Sequence, residues 1–579
     1  MKPSDLGLWL NDTSTPPKTE PPTPTIKPRR FWAITFHVAV SLILALIAYE
    51  SFFAGLQLRR QFWDQTVPIR FTGDVSNGFN WGVKASVLGY THLYDISQPS
   101  SQLDYAPLRL WIMMQWANWA KTNYPSAYQR DRWNPKYEFN EPMLTFNTAM
   151  ELASALAAFG LVWIWVRRRI SLAPVSRGEG RARGQITGNP APHPDPLPWL
   201  QGRGRLIHPL THPWRGVARA TAAALLIWFN PALIWNGHAW PQWDGWVVTF
   251  FLWGALLASI DAWFWAGAVI AIGIMCKGQT LAGAPVLLLW PLLGGQFKAA
   301  ARFVIGLALA GALVLWPWLT DDPAAERWLY GVAGAMVAIA ALALLGAGFR
   351  WPRRRLPLRH WPILLAAVAA AALWLCIPYF HADTAPLQRA FEYGANKFND
   401  LARPEVNNLP SILQTHFHWK TDDAATTLRL LGTYDLTLKQ LLWSVYALCV
   451  LLCGLAAAMQ ARRRDPRLLL ALATPWILFF ALLPQMHQRY LVWGAAITAL
   501  AIGVDISLAL LHGVITAAAW GMQAHSMLKD HYNFSPSWLQ FLAATHPGAG
   551  YVVLLCGVIF LYVALLLRPA SGAANKLYQ

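Results

Sequence analysis

Five short polar stretches interrupt an apolar chain, and each carries residue types that can do chemistry. They are Phe71-Thr72-Gly73-Asp74; Asp104 through Tyr105, Pro107, Leu108 and Arg109; Trp240-Pro241-Gln242-Trp243-Asp244-Gly245; Lys277-Gly278-Gln279; and Gln485-Met486-His487-Gln488-Arg489-Tyr490. A carboxylate such as Asp74 can remove the proton from an attacking hydroxyl, a step worth about 10²- to 10⁴-fold in rate. Lys277 and Arg489 can stabilise the charge that develops on a departing phosphate. A phosphate leaves without being protonated, so one base suffices. Cleaving an alkoxide leaving group instead needs two opposed carboxylates, which Asp74 with Asp244 or Asp104 could supply. Each group also has a plainer reading: Asp244 caps a helix, Trp240 and Trp243 sit in an interfacial aromatic belt, and Lys277 and Arg489 snorkel to the interface.

The elements that must hold these residues are membrane helices. Of 579 residues, 55% are hydrophobic and only 13% charged, the latter about half the share in a soluble protein, and the mean hydropathy is +0.31. A soluble enzyme is excluded. Apolar runs near 32–56, 143–166, 218–236, 302–319, 330–349, 361–380, 438–459, 467–484 and 548–567 predict single spans. The stretch 245–295 is broken at Asp261 and Lys277 and predicts three more, and 490–524, broken near Asp505, predicts two. The expected fold is all-α, a polytopic bundle of 13 or 14 spans. Short, interrupted helices imply polar groups held within the membrane.

Around that bundle the sequence divides into a Pro-rich cytoplasmic tail 1–31, two spans within 32–166 enclosing a loop 57–142, and a basic insert 167–217. A central bundle 218–380, a loop 381–437, a C-terminal bundle 438–567 and a tail 568–579 follow. The tail lacks the cleavage site of a signal peptide, so the first span reads as a retained anchor. The net charge is +18. With both termini inside, Arg167 to Arg169, Lys298 with Arg302, Arg353 to Arg355 and Arg462 to Arg464 all fall on the cytoplasmic side, which obeys the positive-inside rule. The charge therefore orients the chain, and no nucleic-acid partner is expected. The loop 57–142 is then external, and the segment 105–120, too short to span, is predicted to lie along the membrane surface. His193 and Asp195, in the Pro- and Gly-rich part of the insert, carry no expected role.

The order of these motifs, with this topology, resembles the type C integral-membrane glycosyltransferases. It is closest to the bacterial polyprenol-phosphate-sugar-dependent mannosyltransferase-like group, and it is similar to the eukaryotic dolichol-linked mannosyl- and glucosyltransferases. The resemblance covers most of the chain from 32 to about 500. It implies an external active site in a cytoplasmic membrane and transfer from a polyprenyl-phosphate sugar to a glycan or glycolipid acceptor, with inversion. Asp74 then stands at the family's catalytic position. The candidates to bind the donor phosphate are Lys277, Arg489 and His487, and to bind substrate Tyr105, Arg109, Gln242, Asp244, Trp240, Trp243, Gln279 and Tyr490; of these, Tyr105, Gln242, Asp244, His487, Arg489 and Tyr490 stand at the family's motif positions. The chain departs from the family pattern in two places: Val75, not a second acidic residue, follows Asp74, and Gln488 stands where Glu is frequent. The cofactor stays open between a divalent cation and none.

Tryptophan is unusually abundant, at 33 against 26 Phe and 17 Tyr. Sugars stack on indole faces, and Trp81, Trp240 and Trp243 are placed to offer them. His416 and His418 have the spacing of a strand-borne metal pair but lack a third ligand, and read as exposed loop histidines. Cys276, Cys376, Cys449, Cys453 and Cys556 lie in apolar runs, as small buried hydrophobes do. Two other readings of the whole chain stand beside transfer: a flippase or transporter of lipid-linked saccharides, and a polymerase or ligase of surface glycans.

Overall fold

In hydrocarbon a backbone can satisfy its amides only internally, so long apolar runs become helix. The computed structural model describes residues 28–66, 73–96, 103, 105–126, 128, 133–170, 213–315, 402–403, 405–429, 433–529 and 537–566. Over these residues the protein is an all-α bundle with one small hairpin. It divides into two compact units, 1–56 and 57–579. Helix α1 (Pro28–Gln65) begins four residues before the expected first span. In the first unit its Leu42, Ile43, Leu46 and Ile47 are exposed, the surface a bilayer would cover.

In the second unit α2 (Gly73–Leu88), α3 (His92–Ile96) and α4 (Pro107–Asn123) form a subassembly. Phe79 of α2 packs edge-on to Trp116 of α4, with ring centroids 5.1 Å apart. The segment expected along the membrane surface is therefore a helix, and it buries Leu110, Met113 and Ala117 within this subassembly. Next come α5 (Tyr137–Ile170), α6 (Pro213–Trp228) and the short α7 (Pro231–Ile234), which runs into a π-helical turn, Trp235–Ala239. The 245–295 stretch forms α8 (Gly245–Ser259), α9 (Trp263–Cys276), α10 (Thr280–Gly283) and α11 (Pro285–Leu293). Asp261 takes a left-handed backbone, φ 67°, at the first break, a conformation Asp tolerates better than most residues. Helix α12 (Phe297–Val314) crosses α9 at a reciprocal pair of glycines. A Cβ on Gly267 would collide with the Phe303 carbonyl, and one on Gly306 with that of Phe264, so the two backbones touch.

The described part of 381–437 holds α13 (Leu409–Phe417) and an antiparallel pair, β1 (Ala424–Arg429) and β2 (Thr433–Thr437). His416 lies in the last turn of α13 and His418 is its left-handed cap, so the pair is not strand-borne, and both are exposed. Thr437 and Gln440 form a capping box that starts α14 (Leu438–Arg463). Helix α15 (Leu468–Leu482) is buried along its whole length, as its all-round apolar sequence requires. After it come α16 (Leu491–Ile497), α17 (Leu508–Leu528), α18 (Ser537–Thr545) and α19 (Ala549–Leu565).

Among the described residues four helical stretches are long and apolar enough to cross a membrane: 137–168, 216–239, 297–314 and 438–463, with five shorter apolar helices beside them. This is a membrane protein. The expected spans 330–349 and 361–380, residues 171–212 of the insert with His193 and Asp195, both tails up to 27 and from 567, and Cys376 lie outside the described residues. The bundle has one basic end: Arg168 donates to the Ser259 carbonyl at 2.7 Å and Arg462 to that of Gly294 at 2.8 Å. Gly245 and Lys277 lie at the opposite ends of α8 and α9.

Candidate functional site

Four breaks in helix geometry converge at the end of the bundle away from those arginines. Asp74 lies in the first turn of α2, where a carboxylate suits the positive end of the helix dipole. Gln242 and Asp244 occupy the turn before α8. Lys277 is extended, φ −156° and ψ 110°, where α9 stops. There the Gly273 carbonyl accepts from the Lys277 backbone N–H at 2.8 Å and from the Thr280 hydroxyl at 3.1 Å. Arg489 lies in a 3₁₀ turn, Gln488–Tyr490, reached through Gln485 at φ 61°.

These side chains form one ion-paired cluster. Arg489 Nη1 pairs with Asp74 Oδ2, and Arg489 Nε lies 3.2 Å from Asp244 Oδ2. Lys277 Nζ pairs with Asp244 Oδ1. Gln242 Nε2 donates to Asp74 Oδ2 at 2.7 Å. The Asp244 carboxylate is fully buried, whereas 32% of the Asp74 side chain is exposed, so only Asp74 can meet a ligand from solvent. Burial pushes the Asp74 carboxyl up, but Arg489, with Arg109 and Lys277 behind it, more than offsets this and holds it below the usual carboxylate range. Among the described residues, Asp74 and Asp244 thus stand with Arg489, Lys277 and Arg109 around them.

Asp244 does not cap α8 with its side chain. Its carboxylate anchors both cations instead. Tyr105 is pinned by the Tyr94 hydroxyl, which donates to its carbonyl at 2.6 Å. The Arg109 guanidinium stacks over Tyr105 at 3.6 Å and Trp243 at 4.1 Å, so these three stand together beside Asp74. Trp240 and Trp243 are only 2% and 1% exposed; their faces are taken by the protein, and of the three indoles singled out only Trp81 keeps partial exposure. Trp240 meets His487 edge-on at 5.5 Å. Burial first, then Arg489, Arg403 and Lys277, push the His487 pKa well below the usual histidine range. Tyr490 stacks on Trp493 at 4.9 Å and 12°, and Lys277 sits over both rings at 5.6 and 5.7 Å. Gln279, half-buried, precedes α10, and among the described residues no hydrogen bond joins its side chain to the cluster. Asp104 lies outside the described residues.

Four residues that sequence reasoning passed over support the cluster. Asn236 Nδ2 donates to Asp244 Oδ2 at 3.2 Å and to Gln523 Oε1 at 3.3 Å. Trp493 Nε1 donates to the Asp244 carbonyl at 2.8 Å. Asn147 holds the carbonyl of Gln242 itself, at 2.9 Å. A polar side chain inside an apolar run was the available signal for Asn147 and Gln523. No group of three or more His, Cys, Asp or Glu side chains among the described residues converges as a metal site. Among the described residues, the Arg489 guanidinium bridges the Asp74 and Asp244 carboxylates. No protein-family model matches the chain, and no curated protein matches it.

Proposed function

We propose that the protein is an integral-membrane glycosyltransferase that moves a hexose or pentose from a polyprenyl-phosphate sugar to a lipid-linked or cell-envelope glycan acceptor, on the external face and with inversion. The observation that carries this reading is the arrangement of one reachable carboxylate, Asp74, beside two cations that a fully buried carboxylate, Asp244, holds in place. Arg489 and Lys277 suit the phosphate of the donor, and a phosphate leaving group needs charge stabilisation, not protonation. Asp74 accepts the proton of the acceptor hydroxyl as that oxygen attacks the anomeric carbon and the bond to the phosphate oxygen breaks.

The cluster adds an order to these events. While Arg489 is paired with Asp74, the carboxylate is a poor base. A donor phosphate that draws Arg489 Nη1 to itself releases Asp74 and lets its pKa rise, so donor binding switches on the base. The external placement rests on the basic end of the bundle, opposite the site, facing the cytoplasm.

The test is sugar transfer from a synthetic polyprenyl-phosphate sugar by the purified full-length protein in nanodiscs. Asp74→Asn should lose about 10²-fold or more of kcat while still binding the donor. Near wild-type turnover would sink the assignment, and lipid-linked sugar crossing the bilayer without transfer would favour the flippase reading.

A further inference from the structure

The span α5 carries a polar stripe at helical spacing, Asn147, Glu151 and Ser154, that an apolar helix does not need. An ionisable residue inside a membrane span is costly and calls for a named partner. Glu151 has two. Arg59 donates to its Oε2 at 2.7 Å, and His238 Nε2 stands 3.5 Å from Oε1, with all three side chains nearly fully buried. Arg59 is itself tied down, donating to the Trp228 carbonyl at 2.9 Å and stacking on the Trp228 ring at 3.7 Å. One helical turn away, Asn147 uses its whole amide. Its Nδ2 donates to the carbonyls of Gly237 at 3.0 Å and Gln242 at 2.9 Å, and its Oδ1 accepts from Trp246 Nε1 at 2.8 Å.

Besides Arg59 of α1 and Trp246 in the first turn of α8, these two side chains grip His238 and Gly237 of the π-helical turn Trp235–Ala239 and Gln242 of the segment that follows it. A π turn inserts one residue into a helix and is frequent at functional sites. This one is closed by Trp240 N donating to the Trp235 carbonyl at 2.8 Å and Gln242 N to that of Asn236 at 2.9 Å. It lies flat on α5 because position 237 has no side chain: a Cβ there would come 2.5 Å from Glu151 Oε1. On either side of that glycine are the residues that touch the two carboxylates, Asn236 on Asp244 and Gln242 on Asp74.

We infer that Asn147 and Glu151 are positioning residues, which hold the Trp235–Gln242 segment so that Gln242 reaches Asp74 and Asn236 reaches Asp244. The inference rests on the transferase reading above. Because Asn147 grips the Gln242 backbone and Gln242 grips the base, loss of Asn147 acts through Gln242. The effect falls on the chemical step. Lys277 and Arg489 keep their own anchor in Asp244, so donor affinity changes little.

The experiment measures kcat and donor KM for the full-length protein in nanodiscs with a polyprenyl-phosphate sugar, across wild type, Asn147→Ala, Gln242→Ala, the double variant, Gly237→Ala and Thr148→Ala. Asn147→Ala should lower kcat about 10²-fold, the scale of a small displacement at a reacting centre, with KM little changed. In the Gln242→Ala background the same substitution should cost nothing further, a non-additivity that generic damage to a span does not produce. Gly237→Ala, which adds only a methyl beside Glu151, should mimic Asn147→Ala. Thr148→Ala, whose hydroxyl bonds only within its own helix to Leu144, should behave as wild type. Additive losses in the double variant, or normal kcat in both Asn147→Ala and Gly237→Ala, overturn the inference alone. Absence of transfer by the wild type overturns the transferase reading, and this inference with it.

Discussion

At the level of single residues, Asp74 is paired with Arg489, and on the proposed transferase reading this pair sets the pH dependence of activity. The base must be ionised to work, so kcat/KM falls as pH drops through the Asp74 pKa, which Arg489, Arg109 and Lys277 hold below the usual carboxylate range. Arg489→Gln removes the foremost of those cations. The acid limb should move to higher pH, and affinity for a polyprenyl phosphate should fall about 10- to 100-fold, the worth of one charge-assisted hydrogen bond. A pH profile with a binding titration checks both, and an unmoved limb together with unchanged affinity refutes the role. The participants Asp74, Gln242, Asp244, Lys277 and Arg489 were legible in the sequence because polar residues at breaks between apolar runs stand out. Their partnerships were not. Asp74 and Arg489 are 415 residues apart, and no local pattern says that Asp244 would spend its charge on cations. Aromatic type at Trp240 and Trp243 is visible in sequence, whereas their burial depends on what packs over them.

The helices were legible for a simpler reason: apolar length and its interruptions fix where helices run and stop. Breaks at Asp261 and Lys277 appear where the polar residues interrupt the 245–295 run. The π turn did not show, since Trp235–Ala239 has no composition that separates it from ordinary helix. The α9–α12 crossing was equally silent, because a glycine in a span reads only as small. Gly267→Val or Gly306→Val places a branched side chain against a partner backbone and should destabilise the fold by about 1–3 kcal/mol, as overpacking does. Denaturant unfolding in detergent checks this, and undiminished stability of both variants would show that the backbones are free to separate. A milder case is Trp493→Phe, which keeps the ring beside Tyr490 but drops the donor to the Asp244 carbonyl. It should cost about 1 kcal/mol.

Across the described residues of the second unit, Arg168 and Arg462 bind carbonyls at the helix ends opposite to those that carry the ion-paired cluster. The proposed orientation predicts that in a cysteine-free background Asn123→Cys, at the exposed end of α4, reacts with an impermeant external thiol reagent, whereas Arg463→Cys at the end of α14 is protected. The reverse pattern would turn the protein over, and with it the side from which the donor is drawn.

The pairing scheme also has a consequence for how the chain is made. Lys277 and Asp244 flank neighbouring helices, so the two can neutralise each other soon after they leave the ribosome, before the rest of the cluster is made. Asp74 is synthesised first of the cluster and its partner last. It therefore waits through most of translation, at the open face of the nascent bundle, until the turn that carries Arg489 is delivered and the cluster closes.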